Sequence, residues 1–225
     1  MAHPKIQFVV GIDEVGRGCL AGPVTVVAVA APANLKFKIK KFLPAHAYRQ
    51  AGGRQVKLPL RDSKKLTARQ REAWFEYVKT QPRILRARAN VYPKTIDRIN
   101  ISKAANLAAT RAVKKVIKLL DSKLLSTSKI YLDGGLYLNI KALSASGYAL
   151  NPRTVIRGDE KFNSVKLASI VAKVSRDKIM KRNHGKFPQY GFDEHVGYGT
   201  KKHIAAIKKH GICRLHRLTF VKNFV

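Results

Sequence analysis

Two adjacent acidic residues, Asp13 and Glu14, follow the short apolar segment 8–12. Burying an unpaired carboxylate is unfavourable, and two neighbouring carboxylates also repel each other. A hard divalent cation such as Mg²⁺ or Mn²⁺ would relieve both penalties, because these ions favour oxygen ligands. Strand side chains alternate between faces, so both acids can serve one site only if Glu14 lies beyond the strand or contributes its backbone carbonyl. The alternative is a strand end with two solvated acids.

The next residues, Gly16, Arg17 and Gly18, are suited to contact with a ligand. Glycine lets the backbone approach a ligand without an intervening side chain, and the planar guanidinium of arginine suits a phosphate. The sequence therefore predicts a cation site beside a loop that can contact a phosphate.

A similar arrangement of an apolar segment, an acid and glycine occurs twice more, at Asp133 after 130–132 and at Asp159 after 154–158. Ligands of open α/β sheets bind at the carboxyl ends of strands. Three strand ends could therefore bring their acids together. Only 13 acidic residues stand against 45 Lys and Arg, so acids in apolar segments are more informative than usual.

Several segments have the patterns of strands and helices. Segment 24–30 is apolar except for Thr25, and segment 85–91 alternates apolar with basic residues. Both patterns predict strands. A capping box at 67–70 predicts a helix start. Apolar spacing predicts further helices over about 101–120 and 164–182. Together these elements predict an α/β fold.

Within the helix predicted over 164–182, Ser169, Lys173 and Asp177 recur every four residues and share a face. This face is either a polar stripe beside the site or an ordinary helix surface with a Lys–Asp pair. The residue types leave both interpretations open. Asp177 is the reserve candidate should Asp159 prove dispensable.

Two regions differ in composition from the rest. Residues 33–57 carry seven Lys and Arg without a clear period, which predicts a basic insertion that is either a solvated loop or an extra phosphate contact. Beyond residue 183, histidines, glycines and aromatic residues become common, but the histidine spacing matches no zinc site. Tyr198 lies between two glycines, where its ring could stack on a sugar or base. By spacing alone, a packed core tyrosine is the simpler interpretation.

The charge indicates the class of partner. The 225 residues have 45% hydrophobic content, which is enough for one domain with a core, and a net charge of +32. Such a positive excess favours a polyanionic partner, and nucleic acid is the leading candidate. An anionic membrane is second, but the sequence has no spanning segment and no basic amphipathic anchor. Two cysteines favour a reducing, intracellular compartment over a disulfide framework.

Two classes of function remain. The sequence has no P-loop, no Gly-x-Ser-x-Gly elbow and no dinucleotide-binding glycine pattern. One hypothesis is a metal-dependent phosphodiesterase acting on nucleic acid, and the other is a non-catalytic, basic RNA-binding protein of the ribosomal type. The RNA-binding hypothesis explains the charge, but it does not explain why an acid follows each of three predicted strands. Metal-dependent cutting of a duplex would discriminate between them.

The sequence resembles the type 2 ribonuclease H family (ribonuclease HII) over nearly its whole length. The matching blocks, in the family's order, are residues 11–18, 62–66, 132–134, 158–159, 168–177, 187–192 and 195–200. Three features depart from the usual family pattern, namely Lys166-Leu167 in place of small residues, Arg157 in place of a lysine, and the length of 33–57.

The resemblance implies an α/β fold with a ribonuclease H-like core, in which helices flank a central mixed β-sheet. It implies one domain over 7–225, with the core at about 7–182 and a small helical part at about 183–225. The implied activity is endonucleolytic hydrolysis of the RNA strand in RNA–DNA hybrids, including cutting at ribonucleotides embedded in duplex DNA. A monomeric, cytoplasmic enzyme is expected.

The resemblance also implies roles for individual residues. Two divalent ions, Mg²⁺ or Mn²⁺, would lie roughly 3.5–4 Å apart, held by the catalytic acids Asp13, Glu14, Asp133 and Asp159. One ion would activate water and the other would stabilise the leaving 3′ oxygen, which gives 5′-phosphate and 3′-hydroxyl ends. The 16–18 backbone would test for a 2′-hydroxyl. The implied substrate-binding residues are Gly16, Arg17, Gly18, Ser63, Lys64, Lys65, Ser169, Lys173 and Tyr198.

Overall fold

Five strands form the centre of the protein, in a computed structural model that describes residues 7–37, 39, 58–144 and 150–225. The strands are β1 (Phe8–Val15), β2 (Val24–Pro32), β3 (Leu85–Val91), β4 (Lys129–Asp133) and β5 (Pro152–Val155). Most of the predicted basic insertion 33–57 lies outside the described residues, so its two interpretations stay predictions.

The described helices account for most of the remaining chain. They are α1 (Ala68–Thr80), α2 (Pro93–Ile99), α3 (Ile101–Ile117), α4 (Ser122–Ser126), α5 (Ile140–Ser144), α6 (Gly158–Lys161), α7 (Asn163–His184), α8 (Phe192–His195), α9 (Lys201–His210) and α10 (Leu218–Val221), with 3₁₀ turns at Ser63–Lys65 and Pro188–Tyr190. None of the helices in the described ranges is long and apolar enough to cross a membrane.

The strands form one sheet in the order β3-β2-β1-β4-β5. The β1–β2 and β2–β3 pairs are antiparallel, whereas β1–β4 and β4–β5 are parallel. The predicted mixed sheet flanked by helices is therefore confirmed. Pairing of β1 with β4 ends at Ile12 and Leu132, while pairing of β1 with β2 continues to Val15. The sheet thus opens between β1 and β4 at their carboxyl ends.

Helices cover both faces of this sheet. Helix α3 packs its alanine-rich side on the face that carries Val10 and Ile12, and α7 with α1 packs on the face that carries Val27 and Val29. Helix α7 comes very close to β1, because a Cβ atom on Gly11 would lie 2.2 Å from the Ser164 backbone. Only glycine permits this approach, which brings α7 and its Ser169 beside the end of β1.

Local sequence signals located most of these elements, with some errors. The capping box of α1 forms in both directions between Thr67 and Gln70. Helix α3 ends at Ile117, before the predicted boundary near 120, and Leu119 is exposed while Leu120 is buried. Strand β1 continues to Val15 instead of ending before the acids, because its pairing with β2 extends that far.

Candidate active site

A cleft of about 330 Å³ lies at the carboxyl edge of the sheet, where β1 and β4 separate. It gathers residues that are more than 180 positions apart in the sequence. The predicted site residues that line it are Asp13, Glu14, Gly16, Arg17, Gly18, Ser63, Lys64, Asp133, Asp159, Ser169, Lys173 and Tyr198. Lys65 lines an adjoining pocket instead, together with Asp62, Glu160 and Lys166. Asp177 does not line the cleft.

Asp13 and Glu14 both lie within β1, yet both reach the cleft. Asp13 shares the sheet face that α7 covers, where its carboxylate interacts with the Ser169 hydroxyl and accepts the backbone N–H of Glu14 at 2.7 Å. Glu14 lies beyond the last residue of β1 that pairs with β4, so its side chain can turn into the opening. Glu14 lies within β1, so the expectation that it lies beyond the strand is wrong, while a contribution from its backbone carbonyl stays a prediction.

Asp133 ends β4 and is fixed by the segment that follows β5. Its Oδ1 accepts the backbone N–H of Gly158 at 2.8 Å, and a Cβ on Gly158 would lie 3.4 Å from the same oxygen. The sequence pattern predicted that Asp159 ends a strand, and this prediction is wrong. Strand β5 stops at Val155, and Asp159 lies in the first turn of the short helix α6, after Arg157 with φ of 55°.

Burial gives these acids unusual electrostatics. Loss of solvation raises the pKa of Asp13 well above its ordinary value, and the neighbouring charge of Glu14 raises it further. Burial also raises the pKa of Glu14, although the Arg17 guanidinium opposes this shift. The pKa of Asp159 is raised by burial and then by the charge of Asp133. Accumulated negative charge at this edge therefore needs compensation from cations.

The acids share the cleft but are not assembled as a finished metal site. Within the described ranges, no three acidic, histidine or cysteine side chains are close enough together to form a metal-binding group. Glu14 forms an ion pair with Arg17 at 3.0 Å, and Asp133 is bonded to Gly158. However, Glu14 Oε2 is buried and has no hydrogen-bond partner among the described residues. Unsatisfied, desolvated carboxylate oxygens are the donor type that Mg²⁺ and Mn²⁺ prefer.

Basic and hydroxyl side chains also line the cleft. The hydroxyls of Ser63 and Ser169 lie 2.9 Å apart and join the 3₁₀ turn to α7. Lys64 is exposed and Lys173 is partly exposed at the cleft, where their ammonium groups can reach phosphates. The Arg17 guanidinium, which the sequence predicts to suit a phosphate, already has protein partners. It pairs with Glu14 and donates to the Gly135 carbonyl at 2.6 Å.

Tyr198 is at the surface of the cleft and not in the core. Its side chain is 40% exposed, which favours the stacking interpretation over the core interpretation. The preceding Gly197 has φ of 87°, and a Cβ there would lie 2.5 Å from the Ala21 carbonyl. The Tyr198 carbonyl contacts Nδ1 of the buried His203 at 2.8 Å. The loop that carries Tyr198 is thus held in place by its contacts with the buried His203 and with Ala21.

Two residues with contacts to the cleft loops were missed by sequence reasoning. Arg176 and Arg217 are fully buried and bond to the loop that contains Gly16 and Arg17. The signals for Arg176 are its place in the matching block 168–177 and on a helix face shared with Ala172 and Met180, and neither indicates its contacts. No local pattern identifies Arg217.

Comparisons with known proteins find related sequences over nearly the whole chain. The sequence profile of the family "Ribonuclease HII" matches residues 10–43 and 46–223. A ribonuclease HII of Endomicrobium trichonymphae is 42% identical over 212 residues, which covers 94% of this chain and 84% of the relative. A ribonuclease HII of Acetivibrio thermocellus is 38% identical over 219 residues, covering 97% of this chain and 72% of the relative.

Solved structures share the fold. The ribonuclease H2 of Pyrococcus horikoshii OT3 matches with a TM-score of 0.66 at 21% identity, covering 96% of each chain. A Bst ribonuclease HIII solved in complex with Mn²⁺ matches with a TM-score of 0.61 at 17% identity, covering 96% of this chain and 67% of that one. At these identities the likeness supports the α/β fold alone.

Proposed function

The chain belongs to the ribonuclease HII family and is a hydrolytic endoribonuclease, and we propose that it hydrolyses the RNA strand of RNA–DNA hybrids and cuts at ribonucleotides embedded in duplex DNA. The observation that carries this proposal is the cleft that Asp13, Glu14, Asp133 and Asp159 line together with Lys64 and Lys173. A non-catalytic RNA-binding protein, the alternative, would not need buried acids with raised pKa values.

We propose that Asp13, Glu14, Asp133 and Asp159 hold divalent cations. Mg²⁺ or Mn²⁺ at these carboxylates would supply the positive charge that activates a water nucleophile and stabilises the leaving 3′ oxygen. The fit rests on hard oxygen donors, on their desolvation and on the unpartnered Oε2 of Glu14. The protein contacts of Glu14 and Asp133 use Oε1 and Oδ1, respectively, so a cation bound at either of these oxygens would share or replace the contact.

The other residues of the cleft would bind and orient the substrate. Lys64 and Lys173 would neutralise backbone phosphates without reading base sequence. The exposed ring of Tyr198 would stack on the sugar beside the cut. The backbone of 16–18 would contact the 2′-hydroxyl, the group that separates RNA from DNA. We expect a 5′-phosphate and a 3′-hydroxyl as products, released by a monomeric, cytoplasmic enzyme.

The direct test uses a DNA duplex that carries one ribonucleotide, incubated with Mg²⁺, with Mn²⁺ or with EDTA. We expect one cut beside the ribonucleotide with either metal, ends of the stated chemistry, and no product in EDTA. The all-DNA duplex of the same sequence is the control and should stay intact. Binding of both duplexes without metal-dependent cutting would support the RNA-binding alternative.

A further inference from the structure

Two arginines, Arg176 and Arg217, have no exposed surface. Neither is paired with a carboxylate among the residues that the structure describes. A buried charge without a counterion requires compensating hydrogen bonds. In both cases the partners are backbone carbonyls, and most of these carbonyls belong to the loop between β1 and β2.

Arg217, at the start of α10, binds both ends of this loop. Its Nη2 donates to the Gly16 carbonyl at 2.6 Å, its Nη1 donates to the Arg17 carbonyl at 2.7 Å, and its Nε donates to the Gly22 carbonyl at 3.1 Å. The Arg217 side chain therefore connects the C-terminal segment to loop residues that lie about 200 positions earlier in the sequence. Lysine could not reproduce this geometry, since its donors are on a single nitrogen.

Arg176 of α7 supports the same loop from another side. It donates to the carbonyls of Ala21 and Pro23, each at 3.0 Å, and to that of Val196 at 2.6 Å. A Cβ on Gly16 would lie 2.3 Å from Arg176 Nε, so the guanidinium group packs directly against this glycine. Arg176 also links the loop to the segment that leads to Tyr198.

These bonds determine which way the peptide groups of the loop face. In a trans peptide the carbonyl and the following N–H point in opposite directions. Because the Gly16 and Arg17 carbonyls point inward to Arg217, the N–H groups of Arg17 and Gly18 point away from it, and both residues line the cleft. Neither N–H donates a hydrogen bond within the described part of the chain, and a Cβ on Gly18 would meet nothing within 4 Å.

We propose that Arg217, with Arg176, is a positioning residue for recognition of the ribonucleotide: it holds the loop so that the Arg17 and Gly18 amides are presented as free donors to the substrate. This inference rests on the proposed function. The arginines act through the loop and do not themselves touch the substrate. Their loss should affect the recognition of an isolated ribonucleotide most, because a long hybrid offers many alternative registers for cutting.

The test compares the wild type with Arg217→Lys and Arg176→Lys on two substrates, a DNA duplex with one ribonucleotide and a uniform RNA–DNA hybrid. We expect the ratio of kcat/KM values, single ribonucleotide over hybrid, to fall at least tenfold in Arg217→Lys and by less in Arg176→Lys. Arg214→Met is the matched control, because it removes an exposed cation from the same segment. Its ratio should equal that of the wild type.

Three results would overturn the inference. The ratio could stay unchanged in folded Arg217→Lys protein, activity on both substrates could fall in equal proportion, or both variants could lose the near-ultraviolet circular dichroism of the buried Trp74. The last two results would assign the arginines a role in folding alone. If the wild type cut neither substrate, the proposed function would fail first, and the inference would fail with it.

Discussion

At the scale of single residues, the acids of the cleft differ in what protein contacts they already have. Asp133 is bonded to the Gly158 amide, whereas one oxygen of Glu14 is buried and unpartnered within the described ranges. The two acids can therefore be expected to respond differently to substitution. Asparagine at position 133 would keep the amide contact and lose only the charge.

Asp133→Asn should lower the cleavage rate at least about 100-fold, because it removes a charged ligand, and should leave duplex affinity within about twofold. Single-turnover cleavage and fluorescence anisotropy measure the two quantities. Asp121→Asn is the control, since Asp121 is an exposed helix cap outside the cleft. Cutting by Asp133→Asn at the wild-type rate would remove Asp133 from the site.

Asp13→Asn should stabilise the metal-free protein at neutral pH. The pKa of Asp13 is raised in the folded state by burial and by Glu14. The stability that protonated Asp13 contributes to the folded protein is therefore fully present below the unfolded-state pKa of about 4. It is lost as pH rises through the folded-state pKa. A difference of one pKa unit between the folded and unfolded states corresponds to about 1.4 kcal/mol. We expect thermal unfolding in EDTA to occur at higher temperature in Asp13→Asn at pH 7.5, and at equal temperature near pH 3.5.

With added Mg²⁺ or Mn²⁺, the wild type should unfold at a higher temperature than Asp13→Asn at pH 7.5. A cation that binds only the folded wild type raises its unfolding temperature, while Asp13→Asn should gain much less. Equal metal-induced increases in both proteins would show that Asp13 does not hold the ion. Asp121→Asn again serves as the control and should behave as the wild type does.

Tyr198→Ala should reduce kcat/KM on a single-ribonucleotide duplex about tenfold, because it removes the proposed stacking on the sugar. The related stacking of an aromatic ring on a base contributes about 1–3 kcal/mol. Tyr198→Phe should retain most activity, because the ring and its exposure are kept. The unfolding temperature should change little in Tyr198→Phe, which keeps the packing of the ring, and should fall modestly in Tyr198→Ala, because the residue is 40% exposed. If Ala and Phe variants were equally active, the ring would have no role in substrate binding.

At the scale of elements, a chain of buried histidines ties the Tyr198 loop to the C-terminal segment. The Cys213 amide donates to His216 Nδ1 at 2.9 Å, the Nε2 atoms of His216 and His203 lie 3.1 Å apart, and His203 Nδ1 lies 2.8 Å from the Tyr198 carbonyl. This order of contacts requires both imidazoles to be neutral, with His216 donating to His203 and His203 donating to the carbonyl. Protonation of either ring would break the chain.

Burial lowers the pKa of His203 to about 4 and also lowers the pKa of His216, and the nearby His195 opposes the charging of both rings. The stability that they contribute is present above the unfolded-state pKa of about 6.5 and is lost as pH falls toward 4. We expect the free energy of unfolding to fall by an amount on the order of 1–3 kcal/mol across this window. His203→Gln should be less stable at pH 7.5 but show a flatter pH profile.

The control for this profile is His210→Gln on the same helix, because His210 is exposed. Its profile should follow that of the wild type. Urea unfolding at several pH values provides the measurement. A pH dependence in His203→Gln as steep as that of the wild type would contradict the role of this histidine.

At the scale of the whole molecule, the net charge of +32 should make duplex binding strongly dependent on salt. Each neutralised phosphate contributes about −0.9 to the slope of log affinity against log salt concentration. Lys173→Ala should reduce the size of this slope by about 1, whereas Lys118→Ala, exposed at the end of α3 and outside the cleft, should leave it unchanged. Anisotropy titrations in EDTA over about 50–200 mM salt test this. Equal slopes in all three proteins would exclude a phosphate contact by Lys173.

Sequence alone predicted the elements that carry the site and the residue types within it. Apolar periodicity, the capping box at 67–70 and acids after apolar segments are local signals, and local interactions largely set where strands and helices form. The resemblance assigned the same acids and favoured stacking for Tyr198, where spacing alone favoured a core tyrosine. Even so, Asp159 proved to lie on α6, because a short turn after β5 changes the element without changing the pattern of residues.

Only the tertiary structure decided how these parts meet. The opening between β1 and β4, the protein partners of the Arg17 guanidinium and the burial of Arg176 and Arg217 all depend on contacts between distant segments. Arg217 and Gly16, for example, are 201 residues apart. A charged side chain is buried only where many polar partners converge on it, and such convergence is a property of the folded chain that no local pattern encodes.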